Sequence, residues 1–170
     1  TLNQTDLRNI EAEILHNYGE EQTVDFLDTI KRYGFHYATV SGVSWGMDDL
    51  RIPPEKTRII AEAEKTIEEN KSLYEQGLLT EYERKSKAIE IWTTTKSKLE
   101  KLVSNQFSND DAVFMMVDSK ARGNWGTVNQ LAGMRGLMVK PDGELIELPV
   151  KSSFKQGLNV LEYFISTHGT

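Results

Sequence analysis

Residues 53–104, PPEKTRIIAEAEKTIEENKSLYEQGLLTEYERKSKAIEIWTTTKSKLEKLVS, decide the fold. Pro53–Pro54 opens the stretch, and proline suits a first helical turn because that N–H has no intrahelical acceptor. Ile60, Ala63, Ile67 and Tyr74 then fall on one helical stripe, with Asn70 at the skipped core position. At Gly77–Thr80 the pattern breaks. Thr80 with Glu83 three residues on is a capping box, so a second helix starts there. Tyr82, Ile89, Lys96 and Val103 recur every seven residues, and Lys85, Trp92 and Leu99 fill the other heptad position. The spacing predicts an antiparallel coiled-coil hairpin with arms of about 22 residues, or ~33 Å at a rise of 1.5 Å per residue. Lysines at two seam positions thin its core. Such a hairpin is read either as a protruding spacer or docking post, or as an ordinary pair of helices in a bundle.

Outward from the hairpin, the texture changes on both sides. Upstream, Leu7, Ile10, Ile14 and Tyr18 step at helical spacing to Gly19, and Val24, Leu27, Ile30 and Tyr33 step to Gly34. Two short helices with glycine C-caps are expected. FHYATVSGVSWGMDDL after them is read as strand or extended loop, with His36 and Trp45 as packing residues before ligand contacts. Downstream, Val113, Met116 and Val117 are expected in a core, and four glycines (Gly123, Gly126, Gly133 and Gly136) crowd the next stretch. Pro141-Asp142-Gly143 is a turn signal that predicts a small β-hairpin between Gly136–Lys140 and Glu144–Val150. Phe154, Leu158, Leu161, Ile165 and His168 step as an amphipathic helix still in stride at the last residue, which suggests a longer helix cut short. The fold class is therefore mainly α with a small β-hairpin (α+β), a protruding helical hairpin on a small helical body. Three segments result: 1–53, 54–104 and 105–170.

Composition narrows the chemistry. The 170 residues carry 20 basic and 26 acidic side chains, for a net charge of −6. Nine acids face four bases in 1–53, ten face ten in 54–104, and seven face six in 105–170. No segment is basic, which argues against autonomous nucleic-acid binding. No apolar run reaches the ~18 residues of a membrane span, and no signal-peptide pattern opens the chain. Zero cysteines removes thiolate metal sites and Cys nucleophiles, and His16, His36 and His168 are too scattered for a zinc motif. Neither GxGxxG after a strand nor GKS/GKT is present. Asp48–Asp49 and Asp110–Asp111 are adjacent acids that point apart, a poor basis for two-metal catalysis. Arg122 and Arg135 lie among the glycines, where backbone and guanidinium together could meet a phosphate, or could pair with Asp118 or a helix end. Nothing in these residues makes a complete enzyme.

The stretch MMVDSKARGNWGTVNQLAGMRGLMVKPDGELIELPVKSSFKQGLNVLEYFISTHG resembles the largest-subunit family of bacterial RNA polymerase, β′. FLDTIKRYGFHYATVSGVSWGMDDLRIPPEK and GLLTEYERKSKAIEIW resemble the same family in the same order. The resemblance implies a piece of DNA-directed RNA polymerase, a nucleotidyltransferase active in transcription only as the complete complex. It implies that the hairpin forms the rim helices of the secondary channel, where transcript-cleavage and other channel factors dock, with Glu83 and Glu90 at docking positions. It places Arg122 at the triphosphate of the incoming nucleotide. Gln130, Gly133, Met134, Arg135, Lys140, Asp142 and Gly143 fall in the loop bracing the bridge helix, and Phe154, Leu158, Phe164 and His168 in that helix's start. Expected partners are the β, α and ω subunits and the rest of β′, with DNA, RNA and NTP bound only by the complete enzyme. The expected location is the bacterial cytoplasm, at the nucleoid, with no membrane contact. The family's DSGARG glycine is Lys120 here. Neither the magnesium-binding NADFDGD motif nor the trigger loop is present. No catalytic or metal-binding residue is therefore assigned, and Mg²⁺ is expected outside this chain. The alternative is a free-standing hairpin module that captures channel factors.

Overall fold

The computed structural model describes residues 2–168, which fold mainly as α-helix. The chain forms two units, each from two stretches: 1–49 with 109–124, and 50–108 with 125–170.

In the first unit, α1 (Gln4–Tyr18) opens with a capping box in which Asn3 accepts from Thr5 and Asp6 and Asp6 accepts from the Asn3 N–H. It ends at Gly19, whose φ of 85° suits glycine. The next helix, α2 (Glu20–Ser41), corrects the sequence reading: it runs through Gly34 and takes in Phe35–Ser41, expected as strand or loop. An interior glycine costs roughly 1 kcal/mol against alanine but removes no hydrogen bond, so a long helix absorbs it. The break comes at Gly42, in the left-handed region at φ 63°. A 3₁₀ turn, Met47–Asp49, follows. The unit's other stretch carries α5 (Ala112–Asp118), which buries Val113 and Val117.

The second unit is built on α3 (Lys56–Glu75) and α4 (Glu81–Ser104). At the tip, Gly77 N–H donates to Tyr74 O and Leu78 N–H to Leu73 O, and Gly77 takes φ 74°. Thr80 and Glu83 then form the expected capping box. Asn70 Nδ2 donates to Arg84 O near the tip, while Ala63 packs with Trp92 and Leu99 nearer the base, so the helices run antiparallel. The buried residues of α4 are Ala88, Trp92, Thr95, Leu99 and Val103. They share only Trp92, Leu99 and Val103 with the heptad pattern, and Tyr82 is 81% exposed. The reason is a second neighbour: α4 also packs against α6 (Trp125–Ala132), so its apolar face is wider than a two-helix seam. Ala63, Trp92, Leu99 and Met134 form the core, flanked by Ile59, Ile60, Ile67, Ile91 and Leu137.

After α6 the chain doubles back. Gly136–Val150 and Val139–Leu145 are isolated antiparallel bridges, and Lys140 N–H donates to Glu144 O at 2.8 Å around the Pro141–Gly143 turn. Among the described residues these bridges stand in place of a continuous strand ladder. The final helix, α7 (Val160–Thr167), also corrects the sequence reading. Phe154 opens a turn and Leu158 lies in the irregular stretch before the helix, because Gly157 sits at φ 82° and Asn159 caps Val160. No helix among the described residues is long and apolar enough to cross a membrane.

Candidate functional site

The second unit gathers most of the expected site residues on the end of α6 and the loop after it, 133–158, fastened to the helical hairpin at intervals. Near the tip, Arg84 donates to both oxygens of Glu147, at 2.9 and 3.2 Å. Farther along, Lys151 Nζ meets Glu64 at 2.5 Å. At the base, Lys56 Nζ donates to Gln156 Oε1 and Lys155 Nζ to Leu50 O. Burial holds the Lys56 ammonium down to about 8, opposed by the charge of Glu162.

Within the loop, Met134 is fully buried and Gly133 lies against the side chain of Asn129. A Cβ on Gly133 would overlap Asn129 Oδ1, so only glycine fits. Gln130 O accepts from Phe154 N–H at 3.0 Å, and Arg135 N–H donates to Ser152 O at 3.2 Å. The Arg135 guanidinium lies 4.9 Å over the Phe154 ring, a cation–π contact. Asp142 Oδ1 accepts from Glu144 N–H, and Gly143 turns the chain at φ 89°. The hydrogen bond and charge of Glu144 hold the Lys140 ammonium above its usual value. The start of α7 is anchored by Glu162, whose carboxylate accepts from the N–H groups of Lys151 (3.0 Å), Ser152 (2.9 Å) and Asn159 (3.2 Å). Burial would raise its pKa, but these hydrogen bonds win and hold it below the usual value. Phe164 is exposed, and His168 Nδ1 lies 2.8 Å from Phe164 O.

Glu83 and Glu90 differ in use. Glu83 is engaged in the tip cap, accepting from the Thr80 N–H and hydroxyl at 2.8 Å each, and these bonds lower its pKa. Glu90 is exposed in the groove between α3 and α4, near Glu69, Lys87 and Thr94.

Arg122 belongs to the first unit. It is exposed after α5, its N–H donating to Met116 O at 3.2 Å. Just before it, Lys120 is the one non-glycine residue at positive φ (58°) among those described, in the conformation a glycine adopts freely. Its Nζ donates to Thr5 Oγ1 at 3.0 Å, and Gln4 N–H donates to Ser119 O, tying this turn to the start of α1.

Sequence reasoning missed Arg84, Glu147, Lys56 and Glu162. The Asn159-x-x-Glu162 spacing is itself a capping-box signal. The Arg84–Glu147 pair, 63 positions apart, has no local signature. Among the described residues no three His, Asp or Glu side chains come together as metal ligands.

The family model for RNA polymerase Rpb1, domain 4, matches residues 79–156, and that for Rpb1, domain 3, matches residues 1–50. The chain is 46% identical over 172 residues to the DNA-directed RNA polymerase subunit β′ of a Nitratiruptor species, covering 99% of this chain and 11% of that protein. It is 49% identical over 155 residues to that of Aliarcobacter butzleri, covering 89% of this chain and 10% of the relative. For the Halalkalibacterium halodurans subunit the identity is 46% over 163 residues, covering 96% and 14%. The chain belongs to the family of bacterial RNA polymerase β′ subunits. It spans between 10% and 14% of the length of these relatives.

Proposed function

We infer that this chain works as part of the β′ subunit of DNA-directed RNA polymerase, in a nucleotidyltransferase assembled with the β, α and ω subunits and the rest of β′. The observation that carries this reading is the match to β′ subunits along 99% of the chain. The α3–α4 hairpin forms the rim of the secondary channel. Gln130, Gly133, Met134, Arg135, Lys140, Asp142 and Gly143 brace the bridge helix, whose start comprises α7 with Phe164 and, at its C-cap, His168, while Phe154 and Leu158 lie in the stretch that leads into it. Support comes from the loop's fastening along the hairpin and from the carboxylate of Glu162, which ties loop and α7 together. Glu83 and Glu90 contribute to an acidic docking surface for channel factors such as transcript-cleavage proteins. DNA, RNA and NTP are bound by the complete enzyme, in the bacterial cytoplasm at the nucleoid, with Mg²⁺ held outside this chain.

Arg122 meets the phosphates of the incoming nucleotide, and its exposure on a turn fixed by Lys120 and Ser119 suits that role. Such positioning and charge stabilisation is what phosphoryl transfer asks of the protein. The test is Arg122→Ala in the assembled polymerase. A guanidinium–phosphate contact of ~1.5–3 kcal/mol predicts a fall in kcat/KM on the order of tenfold or more. An unchanged kcat/KM for all four nucleotides would remove Arg122 from the substrate site.

A further inference from the structure

Lys56, Gln156 and Glu162 join the base of the hairpin to the start of α7. Lys56, the first residue of α3, is 4% exposed, and its Nζ donates to Gln156 Oε1. The same Gln156 oxygen accepts from the N–H and the hydroxyl of the buried Ser153, at 3.4 Å each. Glu162, 7% exposed on α7, accepts from the N–H groups of Lys151 and Ser152. A cation of the hairpin and a carboxylate of α7 are thus bonded to one short segment, 151–156. That segment is tied in turn to α6, Phe154 N–H donating to Gln130 O and Lys155 N–H to Leu131 O, at 3.0 Å each.

The charges differ from those on the hairpin surface. Exposed pairs such as Arg58–Glu62 contribute little and lose little when broken. An enclosed charge is costly unless a second charge offsets it. Burial works against the Lys56 ammonium, and the charge of Glu162 works for it. The other charged neighbours are directed elsewhere: Lys155 Nζ donates to Leu50 O at 2.7 Å, and Arg51 and Glu55 are exposed.

We propose that Lys56 is a positioning residue for the start of α7: its ammonium, balanced by Glu162 and bonded to Gln156, sets the segment 151–156 and the first turn of α7 against the base of the hairpin. The fastening lies in the balance and not in either charge alone. Loss of Glu162 leaves an enclosed cation without an offsetting charge, and the segment opens to let water reach it. Loss of both charges leaves the segment closed, because uncharged side chains of similar size need no partner there. The consequence for RNA synthesis rests on the reading of α7 as the start of the bridge helix.

The experiment is amide hydrogen exchange at pH 6 on the 170-residue chain, as wild type, Lys56→Met, Glu162→Gln and the double variant. The reporters are the amides of Phe154 and Tyr163, bonded to Gln130 O and Asn159 O and to neither altered side chain. In Glu162→Gln they exchange on the order of tenfold faster, with helical content unchanged by circular dichroism. Adding Lys56→Met recovers part of that protection, which a purely structural role for Lys56 would not do. Raising the pH to 9 has the same effect in Glu162→Gln and none in the double variant, each rate being taken relative to an unstructured peptide at that pH. His168, at the C-cap of α7, is present in all four chains and drops out of the comparison. A double variant as fast as Glu162→Gln overturns the proposal, and so do equal rates in wild type and Glu162→Gln. If Glu162→Gln does not fold, the Lys56 Cε resonance of the wild type decides: a midpoint near 8 supports the enclosed ammonium, and titration together with the exposed lysines overturns it. RNA synthesis by the assembled polymerase carrying the same variants tests the bridge-helix reading separately. An α7 that loosens without slowing synthesis counts against that reading and supports the fastening by itself.

Discussion

The unit built on α3 and α4 and the unit built on α1 and α2 start from similar sequence patterns and reach different densities. The first packs Ala63, Trp92, Leu99 and Met134 into a common core and buries Val103 and Val150 as well. In the second, α1 buries no residue and α2 buries only Thr23, while Leu27, Tyr33 and Phe35 remain 41%, 60% and 72% exposed. Helical spacing of apolar residues is present in both. What differs is a third element: α6 and the 134–150 loop close over α4, whereas α5 offers only Val113 and Val117. Amphipathic spacing makes a helix able to pack, and a neighbour of matching shape decides whether it does.

The sharpest way to break that contrast is at its centre. Trp92→Ala removes the largest side chain of the core and should cost about 3–5 kcal/mol, read as a lower denaturant midpoint for α3 and α4. If hydrogen exchange in α1 and α2 rises as steeply as in α3 and α4, the two units are one cooperative body and the contrast fails.

A smaller effect is expected at Gly133→Ala, where the new methyl meets Asn129 Oδ1 and should cost ~1–3 kcal/mol. Asn129→Ala in the same chain should recover part of the loss, because it removes the obstructing atom. Equal losses in the single and double variants would place the strain elsewhere.

Next comes a pH effect confined to the dense unit. The Lys56 pKa is about 8 when folded, against an ordinary value of 10.5. Between those values the unfolded chain still holds a proton that the folded chain has released, so stability rises with pH through this window and levels off above it. Denaturant midpoints at pH 8 and pH 10.5 should therefore converge in Lys56→Met while differing in wild type.

The smallest expected change lies in the sparse unit. Lys120→Gly relieves a left-handed residue but loses the Thr5 contact and gains unfolded-state freedom, for a net gain of at most ~1 kcal/mol. Faster exchange at Arg122 in this variant, rather than slower, would show that the lysine tether outweighs the backbone strain.

Local signals were legible wherever the interaction spans a few residues. The Thr80–Glu83 cap, the glycine stop at Gly77 and the Pro141–Gly143 turn all appear where their residue types place them. Two boundaries were not. The spacing through Phe154 and Leu158 fits a helix as well as that after Asn159 does, and only Gly157 at φ 82° separates turn from helix. Gly34 looked like a stop and is helix interior, because hydrogen bonding on both sides outweighs one glycine's entropy.

Sequence alone determined two helices broken at Gly77, the Thr80–Glu83 cap between them, the mainly helical class and the resemblance to β′ subunits, since these rest on short-range backbone chemistry and on ordered runs of residues. Tertiary structure decided which face of α4 is buried, that Lys56 and Glu162 are enclosed, and that Arg84 reaches Glu147. Those outcomes depend on chain segments far apart in sequence meeting in space, where burial and charge pairing act between residues that no local spacing connects.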